Sequence, residues 1–395
     1  MNILLTGASG FVGQNLLSAL VSDGHKVIAC VRDTKKWQAR FPEIECLQCD
    51  FSKDHSPDVW VPRLKDVDLV INAVGIIVET RSQSFENIHT KAPVALFTAA
   101  KQVGINKILQ ISALGADDNA ETPYHITKRA ADDALKGLKL NSVIFYPSMV
   151  IGRGGDSTTL FSAMASLPIM PIIGKGDQQL QPIHIDHLKD NLLELLKNWP
   201  TESHSFELVG AKSISLLNLF SLLRKWLQMK PTFAFFIPIV LMKLSAALND
   251  RLNFGPLTTD NLKMLLAGNC GNPTPISDVT GIKPKSIEDS LQNTPVTSAD
   301  IWHARLIFLQ PLLRISIAFL WIFTGIVVGF LYQVEEAAAL NILLGIASLI
   351  AYRIRLIVTL QLLLLIIYTW ALPVLFGPIS LLLIVATLIM LVLED

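Results

Sequence analysis

Residues 2–22 read NILLTGASGFVGQNLLSALVS and contain the clearest fold signal in the chain. Asn2–Thr6 has the apolar character of a buried strand, and Gln14–Ser22 has the periodicity of an amphipathic helix. Three glycines with the spacing G-x-x-G-x-x-G lie between them. Glycines leave main-chain N–H groups open to a pyrophosphate at the helix N-terminus. We therefore predict that a dinucleotide binds at this turn, against Gly7, Ser9, Gly10, Phe11, Val12 and Gly13.

A basic residue follows the second predicted strand, Lys26–Val31. An NAD site places a carboxylate at this position, where it accepts the adenosine ribose hydroxyls. This chain has Arg32 instead, and a guanidinium pairs with a 2′-phosphate through charge-assisted hydrogen bonds. The alternative is a solvated charged loop, since Asp33 and Lys35 come next. We expect NADP(H) to be preferred over NAD(H).

Further cofactor contacts are predicted where the third and fourth strands end. Asp50 ends the third strand and is placed to touch the adenine. The fourth strand, Leu69–Ile71, leads into Asn72, Ala73 and Gly75, where the loop passes the cofactor. Both assignments rest on the rule that open parallel sheets bind ligands at the carboxyl ends of their strands.

A serine, a tyrosine and a lysine form the candidate catalytic group. Ser112 ends a fifth predicted strand, and Pro123 favours a helix start just before Tyr124. Tyr124 and Lys128 then share a helix face. We expect the ammonium to lower the phenol pKa from about 10, so that Tyr124 exchanges a proton with a substrate oxygen. Lys128 would also hold the nicotinamide ribose, and Ser112 would orient the substrate carbonyl or hydroxyl.

The C-terminal quarter of the chain differs in composition from the rest. The 395 residues include 33 Lys+Arg and 33 Asp+Glu, but residues 301–395 hold only eight charged side chains. These are Arg305, Arg314, Glu335, Glu336, Arg353, Arg355, Glu394 and Asp395. Residues 356–393 carry no charge and would span about 57 Å as one helix, nearly two hydrocarbon thicknesses.

Four transmembrane helices are predicted in this region. Proline and glycine at 373–378 divide the uncharged run into spans at 356–372 and 378–393, and two more are predicted at 315–334 and 337–352. The few arginines that flank them place both termini and the N-terminal domain on the cytoplasmic side. We expect a multi-pass protein of the cell membrane.

Other sequence features narrow the class of protein. The formal net charge is zero, which argues against a nucleic-acid partner. Four cysteines do not make a disulfide framework, and His184 with His187 lacks the companions of a metal site, so no metal is predicted. We predict no signal peptide ahead of the glycine-rich turn. The apolar run Phe233–Met242 is too short to cross a bilayer; filling the core of a second lobe, docking on the bilayer surface and lining a substrate cavity remain open.

Together these motifs resemble the short-chain dehydrogenase/reductase superfamily. Segment 146–152, YPSMVIG, is similar to the R-P-x-x-V-x-G segment of its extended branch, with Tyr146 in place of the arginine, and adds Pro147 to the cofactor-binding set. Segment 181–188, QPIHIDHL, resembles the P-I-H-V-D-D-L segment of that branch. Segment 260–269, DNLKMLLAGN, resembles the atypical subgroup that includes the NADPH-binding accessory subunit of respiratory complex I. Residues 306–393 resemble DoxX-like four-helix membrane domains.

The expected architecture is a Rossmann-type α/β domain over residues 1–298, followed by the membrane domain at 306–393. A doubly wound parallel sheet of six or seven strands should occupy residues 1 to about 150, with a small substrate lobe built from later segments. We expect a membrane-anchored NADP(H)-dependent oxidoreductase that acts on an apolar carbonyl or alcohol such as a lipid or quinone. The alternative is a non-catalytic NADPH-binding protein that serves the assembly, structure or redox sensing of a membrane complex. Membrane lipid is a further expected partner, and an oligomer is open.

Overall fold

The computed structural model describes residues 1–252, 257–331, 335–350, 354–371 and 384–390. They divide into two compact units, residues 1–300 and 301–395, which are described separately below. The predicted turn at 373–378 lies outside the described residues, as does most of the predicted span 378–393, of which residues 384–390 are helical.

A seven-stranded parallel sheet with the spatial order β11-β6-β5-β4-β1-β2-β3 forms the centre of the first unit. The strands are β1 (Asn2–Thr6), β2 (Lys26–Val31), β3 (Cys46–Gln48), β4 (Leu69–Asn72), β5 (Lys107–Ile111), β6 (Asn141–Pro147) and β11 (His204–Leu208). Central strands are buried on both faces, as parallel strands between helical layers require. This confirms the predicted doubly wound α/β sheet, although its seventh strand comes from well beyond residue 150.

Helices cover both faces of this sheet. The first helices are α1 (Phe11–Ser22), α2 (Thr34–Arg40), α3 (Pro57–Trp60), α4 (Ala92–Gln102) and α5 (Pro123–Gly137). A 3₁₀ turn at Val61–Leu64 and a π-helical turn at Glu86–Lys91 precede α4. Within β1, Ile3 and Leu5 pack with the α1 side and Leu4 packs with the α4 and α5 side. The alternation of strand side chains thus creates two cores, one on each face.

The segments after β6 form a smaller lobe. It contains β7 (Val150–Ile151), α6 (Asp156–Ser166), β8 (Met170–Ile173), β9 (Gln179–Leu180), β10 (Ile183–His184), β12 (Ile214–Ser215), α8 (Leu216–Trp226), β13 (Ala234–Ile237), α9 (Ile239–Leu252), α10 (Thr259–Ala267) and α12 (Ile287–Gln292). Helices α7 (Ile185–Lys197) and α11 (Thr274–Thr280) pack beside the main sheet instead. Three two-stranded sheets, β7–β10, β8–β13 and β9–β12, shape the lobe around its own apolar core.

The second unit consists of helices. They are the end of α13 (Ser298–Leu306), α14 (Leu309–Leu331), α15 (Glu335–Ile350) and α16 (Ile354–Ala371). Helices α14 and α15 pack through glycines, because a Cβ on Gly345 would lie 2.6 Å from the Ile322 side chain and 2.8 Å from the Ala318 carbonyl. The Gln361 amide donates to Ser348 Oγ over 2.7 Å and joins α16 to α15.

Among the described residues, one helical stretch is long and apolar enough to cross a membrane. It runs from Ser298 to Phe330, and its most apolar window has a mean hydropathy of 2.1. A shorter apolar helix covers Leu356–Ile367.

Candidate functional site

The glycine-rich turn joins β1 to α1 through close backbone packing. Gly7 has a φ of +71°, which favours glycine, and its carbonyl accepts the Gly10 N–H over 2.9 Å. A Cβ on Gly13 would lie 2.0 Å from that carbonyl oxygen. The first turn of α1 receives no side-chain cap, and Ser9 and Gly10 are exposed. The N–H groups at this helix start therefore face outward, as an anion-binding turn requires, so the residues fit a bound pyrophosphate.

Two residues that were predicted to bind the cofactor, Arg32 and Asp50, follow the two strands nearest the β3 edge of the sheet. Arg32 directly follows β2 and is exposed, while the neighbouring Asp33 accepts the Lys36 N–H over 2.9 Å and caps α2. Asp50 follows β3 and accepts both the N–H and the hydroxyl of Ser52, at 3.0 and 2.6 Å. Burial opposes ionisation of Asp50, but the Ser52 hydrogen bonds and nearby Lys53 outweigh it and lower its pKa. Asp50 thus remains a carboxylate.

A buried row of polar side chains crosses the sheet beneath the site. The Thr6 hydroxyl donates to Asn72 Oδ1 over 2.6 Å, and Asn72 Nδ2 donates to Gln110 Oε1 over 2.7 Å. The Val74 N–H also approaches Asn72 Oδ1, at 3.4 Å. The Asn72 side chain therefore holds the strand ends together.

Helix α5 begins at Pro123, as expected, and carries Tyr124 and Lys128 one turn apart. Thr122 caps it by accepting the His125 N–H over 3.4 Å. The Lys128 ammonium is buried and donates to the Ile111 carbonyl over 3.0 Å and to the Val74 carbonyl over 3.3 Å. Lys128 thereby fixes the ends of β4 and β5 beside the first turn of α5.

The expected depression of the Tyr124 pKa is wrong, because its surroundings raise the pKa instead. Burial, assisted by the negative charge of Asp132, raises the Tyr124 pKa to about 12. Burial also lowers the Lys128 pKa, to about 8, against the opposing effect of Asp132. Helix spacing alone indicated a favourable pair, but loss of solvent disfavours the charged form of both groups. Tyr124 is therefore a neutral phenol at neutral pH.

Ser112 is buried directly after β5, and its hydroxyl donates to Asp132. Asp132 lies one turn beyond Lys128 on α5 and is also buried. Burial raises the Asp132 pKa to about 6, although hydrogen bonds from Ser112 and Gln110 and the charge of Lys128 favour its ionised form. The Ser112 hydroxyl is thus hydrogen-bonded within the protein.

His89, on the π-helical turn, links the loop after β4 to α5. Its Nε2 accepts the Ile76 N–H over 3.0 Å, and its Nδ1 lies 3.2 Å from the Thr127 hydroxyl. The imidazole also meets the Tyr124 ring edge-on, with centroids 5.3 Å apart. Burial and the charge of Lys128 lower the His89 pKa to about 2, so the ring is neutral. A neutral ring that accepts at Nε2 carries its proton on Nδ1, facing Thr127.

Sequence analysis missed His89, Gln110 and Asp132. Asp132 continues the i, i+4 row of Tyr124 and Lys128, so helix periodicity contains a signal for it. Gln110 is a polar residue inside an otherwise apolar strand, which is a weaker signal. His89 comes from a separate segment, and no spacing rule connects it to α5.

Pro147, which was predicted to bind the cofactor, ends β6, and its carbonyl accepts the Leu114 N–H over 3.0 Å.

The fold and the glycine turn define a Rossmann-type nucleotide-binding domain. Residues 7–163, about two fifths of the chain, match a family model described as NAD(P)H-binding. The chain therefore contains an NAD(P)H-binding domain, and the cofactor prediction is confirmed at this level.

The curated proteins that are similar to this chain include a reductase and a respiratory-chain subunit. A ceramide reductase from Caulobacter vibrioides is 28% identical over 186 residues, which cover 47% of this chain and 57% of that protein. The mitochondrial NADH-ubiquinone oxidoreductase 40 kDa subunit of Neurospora crassa is 20% identical over 262 residues, or 65% of this chain and 68% of the subunit. The chain thus spans less than two thirds of the ceramide reductase. The resemblance to the complex I subunit group is confirmed at the level of this domain.

Solved structures share the fold. The UDP-glucuronic acid 4-epimerase from Bacillus cereus, in complex with UDP-glucuronic acid and NAD, superposes with a TM-score of 0.59 at 17% identity. The match covers 78% of this chain and all of the epimerase. At this identity the likeness establishes the architecture alone.

Proposed function

We propose that the protein is an NADP(H)-dependent oxidoreductase of the short-chain dehydrogenase/reductase type that reduces an apolar carbonyl compound, such as a lipid or quinone. The observation that carries this proposal is the position of Tyr124. It lies one turn from Lys128, which itself binds the main chain at the ends of β4 and β5. Ligands of open parallel sheets bind at this edge. The name of the similar ceramide reductase supports a lipid substrate.

The chain's own residues would supply the proton. When bound, the coenzyme supplies a hydride to the carbonyl carbon. Tyr124 remains protonated at neutral pH because its pKa is about 12, so it can donate its phenolic proton to the carbonyl oxygen as the C–H bond forms. The product is an alcohol, and a phenolate remains beside the Lys128 ammonium.

Arg32 supports a preference for NADP(H). The guanidinium is exposed at the end of β2, and among the residues described here no carboxylate forms an ion pair with it. The neighbouring Asp33 is engaged at the start of α2, where it caps the helix. The N–H donors of the Arg32 guanidinium can bind a 2′-phosphate at this position.

Membrane anchoring is the second part of the proposal. The apolar stretch Ser298–Phe330 supports at least one crossing. We propose the DoxX-like arrangement of four helices over 306–393, with the NAD(P)H-binding unit on the cytoplasmic side. Arg305 and Arg314 on the near side of the first span agree with this orientation. An anchored enzyme meets apolar substrates at a high local concentration.

Turnover by a Tyr124→Phe variant tests the catalytic proposal. The full-length protein in detergent micelles is supplied with NADPH and with a keto-sphingolipid, a long-chain aliphatic ketone or a short-chain ubiquinone. Removal of the proton donor should lower NADPH oxidation by about 10²- to 10⁴-fold and leave NADPH affinity nearly unchanged. Phe220→Tyr, which alters a buried ring in the other lobe, controls for nonspecific damage.

A second candidate function is a non-catalytic NADPH-binding protein that serves a membrane complex. Two observations favour it: the Ser112 hydroxyl is occupied by Asp132, and a similar protein is a subunit of NADH-ubiquinone oxidoreductase. It predicts that Tyr124→Phe changes neither coenzyme retention nor the amount of assembled complex. Absence of turnover in the wild-type protein with all three substrates would favour this function over the first.

A further inference from the structure

The smaller lobe exposes a set of large apolar side chains on β13 and α9. Phe233 is 87% exposed and Phe235 60%, and Leu244 on α9 is 63% exposed. The others in the set are Phe236, Ile239, Val240, Leu241 and Leu248. We call these eight residues the apolar patch. The segment Phe233–Met242 therefore does not mainly fill the core of the lobe, which was one of the interpretations open from the sequence.

Helix α9 has two distinct faces. Met242 and Ala246, four residues apart, pack into the core of the lobe. Val240, Leu244 and Leu248 repeat at intervals of four and form an exposed stripe with Leu241. Helix α9 therefore packs against the core of the lobe through one face, and the stripe lies on the other face. An exposed apolar area of this extent, rather than scattered single residues, marks a surface that binds something.

Cationic side chains border this stripe. Lys243 and Arg251 are exposed on α9. By helix periodicity Lys243 lies to one side of the stripe, and Arg251 follows the stripe at its C-terminal end. Asp250, also exposed, lies between them in sequence, and its carboxylate accepts the Thr259 hydroxyl over 2.5 Å and the Thr259 N–H over 3.2 Å. An apolar stripe with a cationic side chain at its side and another at its end is found in helices that lie in the interface of an anionic bilayer.

We propose that the apolar patch docks on the surface of an anionic lipid bilayer. This inference rests on the membrane anchoring proposed above, because the apolar stretch Ser298–Phe330 of the same chain would hold the lobe near the bilayer. Tethering raises the effective concentration of the surface for a second, weaker contact. Lys243 and Arg251 favour lipid over an apolar protein partner, since their positive charges match the negative potential of phosphatidylglycerol or phosphatidylserine.

Depth-dependent fluorescence quenching tests the docking. The full-length chain, with Cys46 and Cys270 replaced by serine, is placed in nanodiscs of phosphatidylcholine and phosphatidylglycerol. An NBD fluorophore is attached at Leu244→Cys, at Phe319→Cys within the apolar stretch, or at Glu202→Cys, an exposed polar position ahead of β11. Nitroxide-labelled lipid should quench the labels at 244 and 319 and leave that at 202 unquenched. The double variant Lys243→Glu, Arg251→Glu reverses both basic charges. It should lower the ratio of docked to undocked molecules, measured from quenching of the label at 244, by about tenfold or more.

The three positions separate the two proposals. Quenching at 319 without quenching at 244 would overturn docking and leave anchoring intact. Lack of quenching at both positions would overturn anchoring, and docking with it. A blue-shifted label at 244 that nitroxide lipid does not quench would mean that a protein surface covers the patch, which also overturns docking. Unchanged NADPH affinity shows that each labelled variant is folded.

Discussion

His89 illustrates how one buried side chain positions the candidate site. It joins the loop after β4, through the Ile76 N–H, to the Thr127 hydroxyl on α5. Because burial and Lys128 hold its pKa at about 2, far below the usual 6.5, folding requires the neutral ring. The stability that His89 contributes is therefore complete above pH 6.5 and is lost as the pH falls below that value.

The pH dependence of unfolding provides a test at this residue. Between pH 7.5 and 5 the wild-type protein should lose about 2 kcal/mol more stability than His89→Gln, since only the wild-type unfolded state gains this proton. Guanidinium unfolding followed by tryptophan fluorescence measures the difference. His204→Gln, which replaces an exposed histidine, serves as the control. Parallel pH profiles for wild type and His89→Gln would show that the imidazole is not held neutral.

Arg32 should determine coenzyme choice. Arg32→Ala removes a charge-assisted contact worth about 1.5–3 kcal/mol, so NADPH affinity should fall by about ten- to a hundredfold. NADH has no 2′-phosphate, and its affinity should change little. Lys35→Ala, three residues along the same exposed segment, is the matched control for a general loss of positive charge. Equal losses for both coenzymes would refute phosphate recognition by Arg32.

The sequence predicted the positions of the candidate catalytic residues better than it predicted their pKa values and hydrogen bonds. The Y-x-x-x-K spacing placed Tyr124 and Lys128 on one helix face correctly. Their burial could not be read from spacing, so the direction of the Tyr124 pKa was mistaken. The Ser112–Asp132 hydrogen bond joins a strand end to a helix twenty residues away. Such a contact depends on how two elements pack, which no local pattern specifies.

At the scale of elements, the β1–α1 turn depends on the absence of one side chain. Gly13→Ala would place a Cβ 2.0 Å from the Gly7 carbonyl oxygen and 2.6 Å from its carbon. Main-chain atoms cannot rotate away, so we expect a loss of roughly 3 kcal/mol or more in stability and a loss of coenzyme binding. Thermal unfolding and NADPH titration of the variant measure both effects.

Gly137 offers the matched control. It ends α5, and a Cβ there would meet no atom within 4 Å. Gly137→Ala should stabilise the protein by about 0.5–1 kcal/mol with unchanged coenzyme affinity. Equal behaviour of the two alanine variants would contradict the close contact between Gly13 and Gly7.

Local elements of the main sheet were the most predictable. Strands β1 and β2 match their predicted bounds, because apolar runs flanked by glycine or charged residues define buried parallel strands well. The predicted helix of 14–22 begins earlier, at Phe11, since the glycine turn itself enters the helix. The π-helical turn that carries His89 had no sequence signal at all.

At the scale of the whole molecule, long-range assembly was harder to foresee. Strand β11 pairs with β6 from more than fifty residues away and completes the sheet at its edge. Hydropathy located an apolar C-terminal region, and the structure supports one stretch of spanning length there. The number of crossings depends on segments between helices that fall outside the described residues, so the four-helix arrangement remains a proposal.

Coenzyme titration of the full-length protein tests whether the glycine-rich turn and Arg32 bind NADPH. Isothermal calorimetry in detergent, with NADPH and NADH in separate runs, should show one site per chain and tighter binding of NADPH. This result follows from the open helix start at α1 and the exposed guanidinium of Arg32. Binding of neither coenzyme to folded protein would contradict the account.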